Sequence, residues 1–281
     1  MTFIAACLQM RSTRSVARNI EQFTALAREA IAKGATFLQA PEMANIVERS
    51  RADLFAAIRP ESDDEMLKAA RTIAREARVS IHLGSLAIKE GEKIANRGFL
   101  IGPEGEIAAR YDKLHLFDVD LPNGESWRES ATYTAGACGV VSPVQDMMLG
   151  MGICYDLRFP YLFRAYAGAG ADILSAPACF TRQTGEAHWV VLQRARAIEN
   201  GAYMISAAQG GTHEDGRETF GHSIIVDPWG KVLAEADDEP CVVLAAIDAT
   251  KVADARGRIP TMKHTRQIIV QKQGAASEAA E

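Results

Sequence analysis

Apolar positions recur along this chain in two periods, and their alternation predicts the elements. "FIAACLQ" (3–9) is a short continuous apolar run, as in a strand buried on both faces. Over residues 16–33, Ile20, Phe23, Ala27, Ala30 and Ile31 share one face at helical spacing, and Gly34 ends the pattern. "TFLQAPE" (36–42) reads as the next strand, and "SDDE" (62–65) as a capping box opening a helix to about Arg78. "SIHLGSLAI" and "NRGFLIGPEGEIAARYDK" read as strands, the latter a pair joined at the turn signal "GPEG". Residues 114–138, with Pro122, Asn123, Gly124 and Gly136, are irregular, and loops of such length are often functional. Strand pairs around 139–153 follow, then a helix from about Pro160, a strand at "DILSAPA", a helix over 186–199 and a strand at "AYMISAA". The hairpin "HSIIVDPWGKVLAEA" turns at Pro228 to Gly230, and "CVVLAAID" leads to a short helix near 251–256.

This order predicts an α/β fold of two halves, each a sheet with helices on its outer face. Stacking the sheets face to face gives a four-layer αββα sandwich. One domain is expected over 1–270, followed by a flexible tail at 271–281 that ends in "QGAASEAAE".

Composition narrows the partners. A chain of 281 residues, 48% hydrophobic and 24% charged, can bury a sizeable core. Its net charge is −5 and its Lys and Arg are scattered, so there is no basic stripe for nucleic acid. The start "MTFIAACLQMRS" lacks a basic n-region, and nowhere do about 18 apolar residues run together; neither a signal peptide nor a membrane span is expected, and the protein should be cytoplasmic. Five cysteines, at 7, 138, 154, 179 and 241, form no CxxC and no Cys/His pair at zinc spacing, which argues against a disulfide framework or structural metal. A free cysteine is by default a small buried hydrophobe.

Cys154 differs in its setting. The apolar run "MMLGMGI" delivers it into "CYDLRFP", with Pro160 ready for a first helical turn, and this describes a strand-to-helix elbow. Unpaired N–H groups and the positive dipole end there favour a thiolate and offer donors to an oxyanion, so Cys154 is a candidate nucleophile. Such a nucleophile needs a base and a charge stabiliser. His82 lies in an apolar strand and His188 beside Trp189 on a helix, which suits packed residues better than catalysts. Glu42 in "APEMAN" and Lys113 in "RYDKLHLFD" fall, like Cys154, at strand ends, where side chains of layered α/β folds converge.

With these residues the chain resembles the nitrilase, or carbon–nitrogen hydrolase, superfamily over roughly residues 3 to 268. The family's Glu–Lys–Cys triad is matched in order by Glu42, Lys113 and Cys154, and its second glutamate by Glu129 in "WRESATYTAG". "TGEAHW", "RARAIENGAY" and "GHSIIVDPWG" match further. The resemblance implies the same four-layer fold, no metal or organic cofactor, and hydrolysis of an amide to carboxylate and ammonia through a Cys154 thioester. In that scheme Glu42 is the general base, and Lys113, held protonated by Glu129, forms an oxyanion hole with the Tyr155 N–H.

"YDKLHLFDVDLP", "YDLRFP" and "AAQGGTHEDGRETFGHS" are similar to the branch of ω-amidases and deaminated-glutathione amidases, with departures at Tyr161 and Glu186. The expected substrate is therefore a small amide bearing a remote carboxylate. Arg182 is the first candidate to bind it; Arg158 at least equally suits an internal ion pair with Asp156 or another carboxylate, and Arg217 could reach a longer, glutathione-like tail. The resemblance also implies a homodimer at least, paired through the helix at about Pro160 to Ala169 and the C-terminal region. A nitrilase shares the triad, a glutaminase would pair its cysteine with a His–Glu couple, and a non-enzymatic scaffold would more plausibly have lost a triad member.

Overall fold

The structure is a computed structural model that describes residues 2–122 and 124–271. Asn123 and, apart from Gln271, the expected C-terminal tail lie outside the described residues. Thr2–Gln9 shows how the layers arise from a period of two. Phe3, Ala5 and Cys7 join the cluster between the sheets, and Ala6 and Leu8 join the one beneath the helices. A strand covered on both faces can therefore be apolar at nearly every position.

The first sheet runs in the order Cys241–Asp248, Thr2–Gln9, Phe37–Ala40, Ser80–Glu90, Lys93–Ile101, Ile107–Asp112, with Tyr133–Thr134 also paired to Lys93–Ile101. The second runs Val232–Glu235, Ile224–Val226, Tyr203–Ser206, Ile173–Ser175, Met147–Met151, Val140–Val144. Helices Val16–Ala32 and Glu65–Ala77 cover the first sheet, and Pro160–Gly168 and Arg182–Asn200 the second, completing the αββα sandwich. The two halves are tied by the last strand: Cys241–Asp248 leaves the second half and pairs antiparallel with Thr2–Gln9 from Thr2↔Asp248 to Gln9↔Cys241.

Several boundaries differ from the sequence-based expectation, each for a local reason. The helix expected from "SDDE" starts at Glu65, because the buried Asp64 carboxylate caps it by accepting the Leu67 amide at 2.8 Å; Glu61–Asp63 forms a separate 3-10 turn. Helix Arg51–Ala57 was not expected: it buries Leu54 alone and so shows no apolar period. Helix Arg182–Asn200 starts four residues before the expected 186, which places Glu186 beyond the first turn and removes the dipole advantage of a helix-start position. Within 114–138 the chain forms a small ribbon, Asp118–Asp120 against Ser126–Arg128, and a 3-10 turn at Glu129–Ala131.

Candidate active site

Three strand ends and the 114–138 stretch meet at a cleft of about 400 Å³. Glu42 lies two residues past Phe37–Ala40, Lys113 directly after Ile107–Asp112, and Cys154 three residues past Met147–Met151. Their meeting depends on close approach of the two sheets. A Cβ at Gly84 would stand 2.3 Å from the Ala40 carbonyl oxygen and 2.5 Å from Pro177 Cβ, so any side chain there would force the sheets apart. At this contact the Pro177 carbonyl accepts the Cys154 amide at 3.0 Å, and the Cys179 amide donates to Glu42 Oε2 at 2.8 Å.

Cys154 stands at the start of a one-turn helix, Cys154–Arg158, with φ +47, a left-handed conformation that costs a non-glycine residue about 1–2 kcal/mol. Buried Asp156 holds the elbow. Its Oδ2 accepts the Ile153 amide at 2.9 Å and the Tyr111 hydroxyl at 2.7 Å; its Oδ1 accepts the His115 amide at 3.0 Å and lies 2.6 Å from His115 Nδ1. The first-turn N–H of Tyr155 has no acceptor within its own helix.

The acidic and basic groups form one buried network. Lys113 Nζ donates to Glu42 Oε1 at 2.9 Å and to Glu129 Oε1 and Oε2 at 3.1 and 2.9 Å. Asn96, which nothing in "NRGF" singles out, donates to both carboxylates, at 2.9 Å to Glu42 Oε1 and 3.1 Å to Glu129 Oε1. Glu129 Oε2 also accepts the Phe117 amide at 2.7 Å. Burial raises the Glu42 carboxyl, but the Lys113 charge and the hydrogen bonds from Lys113, Asn96 and the Cys154 thiol together hold it below the ordinary carboxylate range. Burial also opposes the Lys113 charge, yet Glu129 and Glu42 keep it ionised well above the usual lysine range. The Cys154 thiol is pushed well up, first by burial and then by the Glu42 charge, with Lys113 offsetting only part. The elbow was expected to favour a thiolate; burial first, and then the neighbouring Glu42 charge, instead favour the neutral thiol, and one helical turn of dipole does not offset them.

The candidate arginines separate. Arg217 lines the cleft. Arg182 does not: as the first residue of its helix it pairs with Asp238 at 2.6 Å, outside the lining residues. Arg158 also lies outside the lining and makes no pair with Asp156, whose oxygens are taken; its guanidinium lies 5.1 Å from the Phe180 ring centroid and bonds His188 Nδ1 at 3.2 Å. His82 is fully buried, with Nδ1 3.0 Å from Gln39 Nε2, and burial pushes its pKa down to about 3. Among the described residues no three His, Cys, Asp or Glu side chains group to hold a metal ion.

Comparison with known proteins gives consistent matches. The Carbon-nitrogen hydrolase family matches residues 4–257. A deaminated glutathione amidase of Synechocystis is 38% identical over 267 residues, covering 93% of this chain and 97% of its own. Human omega-amidase NIT2 is 32% identical, covering 94% and 95%. Among solved structures, the C. elegans NitFhit protein is 33% identical with a TM-score of 0.87, aligned over 94% of this chain, which spans 65% of that longer one. An amidase from Nesterenkonia sp. AN1, carrying acrylamide added at its active-site cysteine, is 26% identical with a TM-score of 0.76, covering 92% of this chain and 98% of that one. With the family match running through the strand ends that carry Glu42, Lys113 and Cys154, the chain belongs to the carbon–nitrogen hydrolase family.

Proposed function

We propose that this protein is an amidase in which Cys154 is the nucleophile, Glu42 the proton carrier, Lys113 with the Tyr155 N–H the oxyanion hole, and Glu129 the group that orients Lys113. The observation that carries this reading is the single buried network in which Lys113 bridges Glu42 and Glu129, with the Glu42 charge bearing on the Cys154 thiol as well as on the ammonium. As sulfur attacks the amide carbonyl, Glu42 takes the thiol proton, so no free thiolate has to survive beside a carboxylate. Charge forming on the carbonyl oxygen meets the Lys113 ammonium and the Tyr155 amide, each worth roughly 3 kcal/mol in a preorganised site. Glu42 then passes its proton to the departing nitrogen, leaving the acyl group as a thioester on Cys154. Water activated by Glu42 releases the acid. The balance is one amide plus one water giving a carboxylate and ammonium, or a protonated amine where the amide nitrogen is substituted.

The substrate class is an amide with a remote carboxylate: deaminated glutathione or a related ω-amide such as α-ketoglutaramate. The names of the relatives support this, as does Arg217, the candidate guanidinium that lines the cleft. Steady-state hydrolysis should rank deaminated glutathione above α-ketoglutaramate, and both above a simple aliphatic amide or nitrile. Mass spectrometry of quenched turnover should find the acyl group on the peptide carrying Cys154. A nitrile as best substrate, or turnover surviving in Cys154→Ala, would overturn the reading.

A further inference from the structure

Glu42 stands one residue before a backbone turn that the chain does not adopt freely. Met43 has φ +55, a left-handed conformation uncommon for a residue with a side chain, and it persists only because its surroundings hold it. Strand Ser80–Glu90 supplies part of the hold: Ser85 Oγ accepts the Met43 amide at 3.1 Å, and the Ser85 carbonyl accepts the Ala44 amide at 2.9 Å. The rest comes from the other half of the molecule. Gln209, fully buried just beyond strand Tyr203–Ser206, donates from Nε2 to the Glu42 carbonyl at 3.0 Å and to the Met43 carbonyl at 3.3 Å. Its Oε1 accepts the Ser12 amide at 2.9 Å, and Nε2 also donates to Ser12 Oγ at 2.8 Å. A backbone amide only donates and a carbonyl only accepts, so the carboxamide has a single orientation here. An ionised glutamate would have the shape without the donors.

The same residue also reaches the carboxylate end of Glu42. The Gln209 backbone amide donates to the Ala178 carbonyl at 2.8 Å, and the next residue of that segment, Cys179, donates its amide to Glu42 Oε2 at 2.8 Å. Side chain and main chain of Gln209 thus fix the two ends of Glu42. Such complete use is not a general demand of this core: Gln193, equally buried, leaves its Nε2 without a partner among the described residues. Gln209 lies outside the residues that line the cleft, so it acts through Glu42 and not on a substrate.

We propose that Gln209 is a positioning residue for the general base: by clamping the successive carbonyls of Glu42 and Met43, it keeps the Glu42 carboxylate within reach of Lys113, Asn96 and the Cys179 amide. This rests on the reading of Glu42 as the proton carrier. Without the clamp Met43 relaxes to negative φ, which swings the carboxylate off those donors. The titratable groups facing Glu42 are Lys113, Cys154, Cys179 and Tyr133, with Glu129 behind the lysine. A neutral replacement of Gln209 removes no charge from that set. A carboxylate that has lost its donors takes up a proton at higher pH, so the acid limb of the rate profile moves upward.

Gln209→Met removes the donors at nearly constant length. On deaminated glutathione its kcat should fall ~10²-fold, as for a misplacement near 1 Å, with KM unchanged and the acid limb of kcat/KM shifted to higher pH. Leu26→Ala, in the cluster beneath helix Val16–Ala32, is the control for lost stability: its urea midpoint should fall while kcat and the acid limb stay in place. Gln209→Glu keeps the length and the Ser12 bond, serves where Gln209→Met does not fold, and should show the same fall in kcat. A normal kcat in either variant, a loss matched by Leu26→Ala, or a loss in Gln209→Met with the acid limb unmoved overturns the positioning role. Iodoacetamide labelling of Cys154, which needs no substrate, separates this role from the one beneath it. Labelling slowed in Glu42→Gln but not in Gln209→Met overturns the role of Gln209 alone; labelling unchanged in Glu42→Gln overturns the base role itself.

Discussion

Cys154 is 7% exposed, and burial together with the Glu42 charge holds its thiol up, so its reactivity is conditional on a base taking the proton. A thiol activated only as the bond forms should lose most of its nucleophilicity when the base is neutralised, whereas a pre-formed thiolate would lose little. Glu42→Gln is therefore expected to slow iodoacetamide labelling of Cys154 by about 10²-fold or more, the usual worth of a positioned base. Exposed Cys138 serves as an internal control whose rate should not change. The pH profile follows from the same charges. Glu42 is ionised down to below the ordinary carboxylate range and Lys113 is charged to well above the usual lysine range, so kcat/KM should lose its acid limb only below that carboxylate range and show no alkaline loss before the lysine range. Cys154 labelling at an unchanged rate in Glu42→Gln would refute the role given to Glu42.

At the level of elements, what aims the sulfur is the turn after Met147–Met151. Cys154 is held at positive φ because Asp156, two residues on, ties the backbone before and after the elbow to Tyr111 and His115 on the neighbouring sheet and loop. Four donors converge on that carboxylate, and an amide can accept with only one oxygen. Asp156→Asn should thus lower unfolding free energy by about 3 kcal/mol, since it leaves buried donors unpaired. It should also reduce kcat about 10²-fold, because a misplacement near 1 Å is enough. Urea unfolding and steady-state rates of the same preparation measure both; a variant with normal stability and normal kcat would show that the elbow holds itself. The helix Arg182–Asn200 makes a related point. Its early start turns Arg182 toward Asp238 and away from the cleft, leaving Arg217 from the Gly210–Phe220 segment to line it.

For the whole molecule, the exposed apolar positions bear on assembly. Tyr161 is 63% exposed on helix Pro160–Gly168, and Ile268, Ile269 and Val270 are 80–84% exposed. The chain from Thr261 to Thr265 is strapped to the same helix, with Arg164 donating to the Thr261 carbonyl at 2.6 Å and to Thr265 Oγ1 at 3.0 Å. Exposed apolar side chains on this helix and on the segment that follows the strap offer surface for association. Sedimentation at micromolar concentration should give a homodimer or larger, and Ile269→Asp should shift it toward monomer; monomer alone in the unaltered protein would contradict the expectation. Among the described residues no helix is long and apolar enough to cross a membrane.

The alternation of apolar runs with helical stripes was enough to determine the layered α/β order, since strands covered on both faces and helices covered on one carry different periods. Glu42, Lys113 and Cys154 were readable as candidates because each stands at the end of an expected strand, a local feature of the chain, and because their order matches the family's triad. Asn96 was not legible: its importance comes from two carboxylates contributed by segments 54 and 33 residues away. The upward push on the Cys154 thiol and the separation of Arg217 from Arg182 and Arg158 likewise emerge only in three dimensions. Burial, like charge and the direction of a guanidinium depend on what the other sheet and the loops bring alongside, and no local pattern of residues encodes that distance.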